Sequence, residues 1–104
     1  MHALMRYTVK PDHLHAHLEL LRAVYDELAD TRPDGIAWAT YQVADTSTFV
    51  EFVEGPELPS PLPQLSAFRR YRIGLDERCE GELEFLELHE IGSFRPAPDA
   101  TTRR

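Results

Sequence analysis

The sequence predicts an α+β sandwich, a four-stranded antiparallel sheet with two helices on one face. Three observations predict it. Four segments alternate in apolar character, as strands do. Two others repeat apolar residues at spacings of three and four, as amphipathic helices do. Their order along the chain is strand, helix, strand, strand, helix, strand. The chain has 104 residues, 42% apolar and 28% charged, which suits one globular domain and leaves no room for a separate cofactor domain.

Residues 2–9 (HALMRYTV) contain neither Gly nor Pro. They set Ala3, Met5, Tyr7 and Val9 on one face against His2, Leu4, Arg6 and Thr8 on the other, a first strand. Lys10-Pro11-Asp12 ends it, and Pro and Asp both suit the first turn of a helix. Leu14, Leu18, Leu21, Tyr25 and Leu28, widened by Leu20 and Val24, form the buried stripe of a helix reaching about Asp30. Thr31-Arg32-Pro33-Asp34-Gly35 stops it. Residues 36–43 (IAWATYQV) form the second strand and residues 48–54 (TFVEFVE) the third. The short polar turn Ala44-Asp45-Thr46-Ser47 makes the pair an antiparallel hairpin.

Residues 55–63 (GPELPSPLP) hold four of the eight prolines and form a stiff loop. Leu65, Phe68, Tyr71, Leu75 and Cys79 then mark a second helix running to Cys79, with Gly74 inside it as the mark of a close backbone approach. Residues 82–91 (ELEFLELHEI) form the fourth strand, with Leu83, Phe85, Glu87, His89 and Ile91 on one face and Leu86 and Leu88 on the other. The domain is expected to span residues 1–94, and residues 95–104, which lack an apolar anchor, a mobile tail.

This order is the split βαβ pattern of a ferredoxin-like sandwich. Two helices cover only one sheet face, yet large apolar side chains fall on both. A second copy of the chain is the natural cover, so a two-fold homodimer is expected.

Composition excludes several classes. Lys plus Arg total 11 against 18 Asp plus Glu, a net charge of −7 that disfavours nucleic acid. An RNA-binding sheet of this topology would want bases' partners of positive charge beside its aromatics, and Glu51 and Glu54 stand there instead. No run approaches the ~20 apolar residues of a membrane span. The N-terminus does not read as a signal peptide, and a soluble, cytoplasmic protein is expected. The single cysteine, Cys79, excludes an intrachain disulfide and a Cys-based zinc site, and reads as a buried inert thiol. Glycine-rich phosphate loops and nucleophile elbows are absent. The seven acids between Asp76 and Glu90 read as a solvated edge that discourages sheet aggregation.

The first strand running into Val9-Lys10-Pro11, the Leu-rich helix, the Gly35-opened strand, Thr48-Phe49-Val50 and Leu65-x-x-Phe68 together resemble the antibiotic-biosynthesis-monooxygenase type of dimeric α/β barrel. The resemblance covers about residues 2–91 and implies paired sheets with a small-molecule cavity between sheet and helices in each subunit. The chain has no asparagine, so the Asn-centred site of the haem-degrading and quinone-forming members does not carry over. No catalytic residue transfers position by position.

Candidate site residues each have a structural and a chemical reading. Trp38, the only tryptophan, is core or interface packing, or the wall of an aromatic pocket with Tyr41, Phe52 or Tyr71. His89 is a hydrogen-bonded strand-end histidine, or a general base for a phenol. Arg6 pairs with Glu87 across the ladder, or binds a substrate anion. His13, His15 and His17 read as a solvated helix start, and no metal site is expected. With the resemblance, these residues suggest a cofactor-independent monooxygenase acting on an aromatic or polycyclic phenol. His89 would remove the proton, Arg6 would hold the anion, and Trp38 and Tyr71 would stack on the ring. The alternatives are a ligand-binding or assembly protein without activity, whose cavity would lack any polar pair at hydrogen-bond distance, and a haem-degrading enzyme.

Overall fold

In the computed structural model, which describes residues 1–94 and 96, the elements follow the predicted order. The tail expected from residue 95 falls, Pro96 apart, outside the described residues. β1 (His2–Val9) and β3 (Thr48–Glu54) have the predicted bounds, and β2 (Ala37–Gln42) is one residue shorter at each end. The sheet order is β2-β3-β1-β4, with β4 (Cys79–Leu88), and every neighbouring pair is antiparallel. The first strand in sequence thus lies inside the sheet, as the split βαβ connection requires.

The ladder fixes the two faces. Tyr7 opposes Phe49, and Met5 opposes both Glu51 and Phe85. These residues face α1 (Leu14–Thr31) and α2 (Ser66–Arg72). Tyr7, Val9, Leu21, Val24, Phe49, Ala67, Tyr71, Leu75 and Cys79 close the core there. At roughly 1.5–3 kcal/mol for each large side chain withdrawn from water, this layer is the main source of stability. Leu4 opposes Phe52 and Leu86 on the other face, and Val50 opposes Tyr41. Tyr41, Phe52 and Leu86 are 57%, 42% and 49% exposed there.

Several expectations need correction. The buried stripe of α1 runs through His17, Leu21 and Val24, whereas Leu18 is exposed. The stripe is rotated by one residue, because a histidine takes a place that hydrophobicity alone assigns to leucine. The second helix is not continuous. Gly74 adopts φ +78° and separates α2 from a single turn, α3 (Leu75–Arg78). No backbone approaches it: a Cβ there would come no nearer than 3.7 Å to the Arg78 side chain. The glycine serves the left-handed turn.

The fourth strand begins three residues earlier than predicted, at Cys79, which therefore opens β4 instead of ending a helix. Gly81, at φ +71°, lies within β4, where its register with β1 slips between Arg6 and Thr8. The strand ends at Leu88, so His89 and Ile91 lie beyond it. On the other side of the slip, the regular register running from His2↔Leu88 makes Arg6 face Glu84 instead of Glu87. Glu80, Glu82, Glu84 and Glu87 are exposed along this edge strand, as a guarded edge requires.

Candidate functional site

Among the described residues, the buried polar side chains are His17, Glu51 and Arg78, at 0%, 2% and 8% exposure. Two buried tyrosines join them into one chain of hydrogen bonds. Arg78 Nε donates to His17 Nδ1 at 3.3 Å, and His17 Nε2 lies 2.9 Å from the Tyr7 hydroxyl. Tyr7 donates to Glu51 Oε2 at 2.6 Å, and Tyr71 donates to the same oxygen at 2.6 Å.

The pattern assigns the protons. Arginine can only donate, so His17 Nδ1 is the acceptor and Nε2 carries the hydrogen. Nε2–H then donates to Tyr7, whose single hydrogen is committed to Glu51. Two hydroxyl donors converging on one carboxyl oxygen match an ionised Glu51.

Each member comes from a different element. Tyr7 lies on the helix-facing side of β1, and Glu51 follows Phe49 by two residues on β3. His17 occupies the buried stripe of α1, Tyr71 sits in α2 and Arg78 ends α3. The Gly74 break explains how Arg78 can be buried. It ends α2 early and frees its last carbonyls. Arg78 Nη2 donates to the Tyr71 carbonyl at 2.6 Å, and Nη1 to the Ile73 carbonyl at 3.1 Å. The guanidinium thus caps α2 and holds His17 at once.

Burial pushes the Glu51 carboxyl above its ordinary range, although the Tyr7, Tyr71 and Trp38 side chains favour the charged form. Burial and the Glu51 charge also drive the Tyr7 and Tyr71 hydroxyls far up, so both remain donors. Burial, aided by the Arg78 charge, lowers His17 from 6.5 to about 4.

The His17 shift sets a pH dependence. Its folded value lies below the unfolded one, so an unfolded chain takes the proton first as pH falls. The stability it contributes is whole above pH 6.5 and is lost on approach to pH 4. Glu51 has the opposite sign: its contribution is greatest below the ordinary carboxylate value and is lost as pH rises. Between about pH 7 and about pH 4.5, the wild type should therefore lose about 2–3 kcal/mol more than His17→Gln. Urea denaturation of both proteins at the two pH values measures this. Equal losses would contradict a buried neutral His17.

Glu51 and Tyr71 form the polar end of a cavity of about 370 Å³ between the sheet and α2. Its walls include Met5, Trp38, Leu62, Phe68 and Phe85, and Arg72 also lines it. A flat apolar molecule inside would lie against Trp38 and Phe68, whose rings are 5.8 Å apart and edge to face, and meet a desolvated carboxylate.

The predicted site residues are divided between two places. Trp38 and Tyr71 line this cavity together, their ring centroids 5.9 Å apart. Tyr41 and Phe52 pack edge to face at 6.0 Å on the outer sheet face. With His89 they line a separate groove of about 670 Å³, which an edge of Trp38 also reaches. The His89 side chain is 82% exposed, and its nearest acid is Glu87 at 4.0 Å. Arg6 lines neither space and pairs with Glu84 at 2.9 Å, both side chains more than half exposed. The reading of His17 as solvated is corrected, since the Tyr7 and Arg78 partners make its burial possible. Tyr7 and Arg78 had no site role in the sequence reading, and Glu51, read there only as an acid beside the strand aromatics, is instead buried on the helix-facing side. A signal existed for Glu51, because it alternates in phase with Phe49 and Val53 on the core-facing side of β3.

No protein-family model matches the sequence, and no curated protein matches it. Solved structures do. A proposed antibiotic biosynthesis monooxygenase from Bacteroides thetaiotaomicron VPI-5482 superposes with a TM-score of 0.71 at 14% identity, over 94% of this chain and 95% of that one. Rv0793 from Mycobacterium tuberculosis gives 0.66 at 21% identity, over 88% and 97%. A further structure, described as an antibiotic biosynthesis monooxygenase, gives 0.62 at 16% identity, over 88% and 98%. At such identities the likeness establishes architecture alone, and the chain has the ferredoxin-like fold of these structures.

Proposed function

We propose that the inner cavity binds a small aromatic or polycyclic phenolic molecule and that the protein oxidises it as a cofactor-independent monooxygenase, with Glu51 as the base. One observation carries this reading: an almost fully buried carboxylate, held by two phenolic donors, meets an otherwise apolar cavity. Desolvation makes it a stronger proton acceptor than a carboxylate in water.

Glu51 takes a proton from an acidic C–H or O–H of the substrate. The resulting carbanion passes its electrons to dioxygen, and a C–O bond forms. For a ring methylene, loss of water then leaves a carbonyl, so CH2 plus O2 gives C=O plus H2O. Trp38 and Phe68 bracket the ring. Arg6, paired with Glu84 on the far face, has a structural role. A protein that merely holds a ligand would have no polar pair in its cavity, and Glu51 with Tyr71 at 2.6 Å favours the enzymatic reading.

Trp38 is the only tryptophan and lines the cavity, so its fluorescence responds to occupancy, and because Trp38 also borders the outer groove, loss of the response in Phe68→Ala but not in Tyr41→Ala assigns it to the cavity. A panel of anthrone-like phenols should quench it saturably, and at least one should be consumed with matching oxygen uptake. Quenching without uptake would leave the ligand-binding alternative, and the absence of both would defeat the cavity assignment.

A second copy is proposed to cover the outer face around Leu4, Val50, Phe52 and Leu86. Two such faces would close a barrel and remove their apolar side chains from water. Light scattering at low micromolar concentration should then give twice the 12.0 kDa of one chain, and a 12.0 kDa species would refute it.

A further inference from the structure

We propose that Arg72 receives a carboxylate on the substrate, so that the inner cavity selects aromatic hydroxy acids over neutral phenols. The inference rests on the cavity being the substrate site and adds the chemical class of what enters it.

Arg72 is the last residue of α2 and the only basic side chain among those lining the cavity. It is exposed, and none of the ion pairs among the described residues includes it. The other arginines near α2 are engaged or face elsewhere. Arg69 donates to the Pro63 carbonyl at 2.9 Å, Arg78 is buried on three acceptors, and Arg70 does not line the cavity. The Met1 ammonium, also beside the cavity, is bound to the Gly55 carbonyl at 2.9 Å.

The cavity lining carries two unlike charged groups. Glu51 is a buried anion, and an anionic group cannot approach it. Arg72 is an exposed cation whose planar fork of donors has no ion-pair partner among the described residues. A single guanidinium of this kind matches a carboxylate through two parallel hydrogen bonds. Because Arg72 is exposed, it meets the outer end of a ligand and not the reacting end beside Glu51. An acid group held there orients the ring with its ionisable hydrogen inward.

The two groups also communicate. The Arg72 charge favours the ionised form of Glu51. A carboxylate bound to Arg72 offsets that charge, which raises the basicity of Glu51 when substrate is in place.

Isothermal titration calorimetry with a hydroxynaphthoic acid and its primary amide tests the assignment, since the two differ in charge and hardly in shape. The wild type should bind the acid about two- to fivefold more tightly, the usual effect of an ion pair at an exposed site. The preference should shrink as salt is added. Arg72→Gln should bring the acid down to the affinity of the amide, Arg72→Lys should restore part of the difference, and Arg70→Gln should keep it whole. Acid and amide binding equally to the wild type would overturn the Arg72 assignment and leave the cavity assignment standing. A preference that survives Arg72→Gln would do the same. Binding of neither compound would overturn both.

Discussion

Arg78→Met should cost about 3–5 kcal/mol, a large part of the stability of a domain this size. The side chain is 8% exposed and donates to three acceptors. Methionine fills comparable space and satisfies none of them. The Tyr71 and Ile73 carbonyls would lose their donor at the end of α2, and His17 Nδ1 would lose the group that fixes its tautomer. Glu51 would also become a buried anion with no buried cation linked to it. Urea denaturation with a circular dichroism readout measures the loss. Arg78→Lys, which keeps the charge but not the fork, should fall between Met and wild type. A loss under about 1 kcal/mol for Arg78→Met would mean that water replaces the guanidinium, and the chain would not be a dry structural unit.

Glu51→Gln should lower turnover a hundred- to ten-thousand-fold, the usual contribution of a positioned general base. The amide oxygen can still accept from Tyr7 and Tyr71, and the side chain keeps its volume, so the fold and the cavity should persist. Ligand affinity read through Trp38 should change little, since the walls that hold the ring are untouched. The expected signature is therefore a loss in kcat with binding preserved. Oxygen uptake with the phenol that the wild type consumes provides the measurement. A rate within a few-fold of wild type would exclude Glu51 as the base, whatever becomes of the cavity.

The fold was legible because its signals are local. Ala3, Tyr7 and Val9 alternate on β1, and Phe49 and Glu51 alternate on β3, in phase with their burial. The turn at residues 44–47 is short enough to admit only a hairpin. What misled was backbone geometry that hydrophobic spacing cannot record. Leu75 and Cys79 keep helical spacing with Tyr71 even though Gly74 turns left-handed between them. Residue 82 reads as the start of the fourth strand, yet Gly81 and the residues back to Cys79 belong to β4, and the slip there sets the pairing of Thr8 and Val9 with Glu80 and Cys79.

The site was half legible for a related reason. Trp38 and Tyr71 are aromatic residues on core-facing positions, and they meet as expected. His17, Glu51 and Arg78 are polar, and polar residues read as solvated when taken singly. Their burial depends on mutual satisfaction across five elements, a property of the assembled set that no single segment contains.

The walls of the cavity differ in origin. Its reactive end is built from strand and helix residues locked into the core, whereas Leu58 and Pro59, which also line it, come from the proline-rich connection after β3. Substitutions at Leu58 or Pro59 can alter which molecules are admitted without touching a residue of the buried hydrogen-bonded chain. Selection can therefore change the diet of such a protein by editing one connection, while the acid–base apparatus passes unaltered from one descendant to the next.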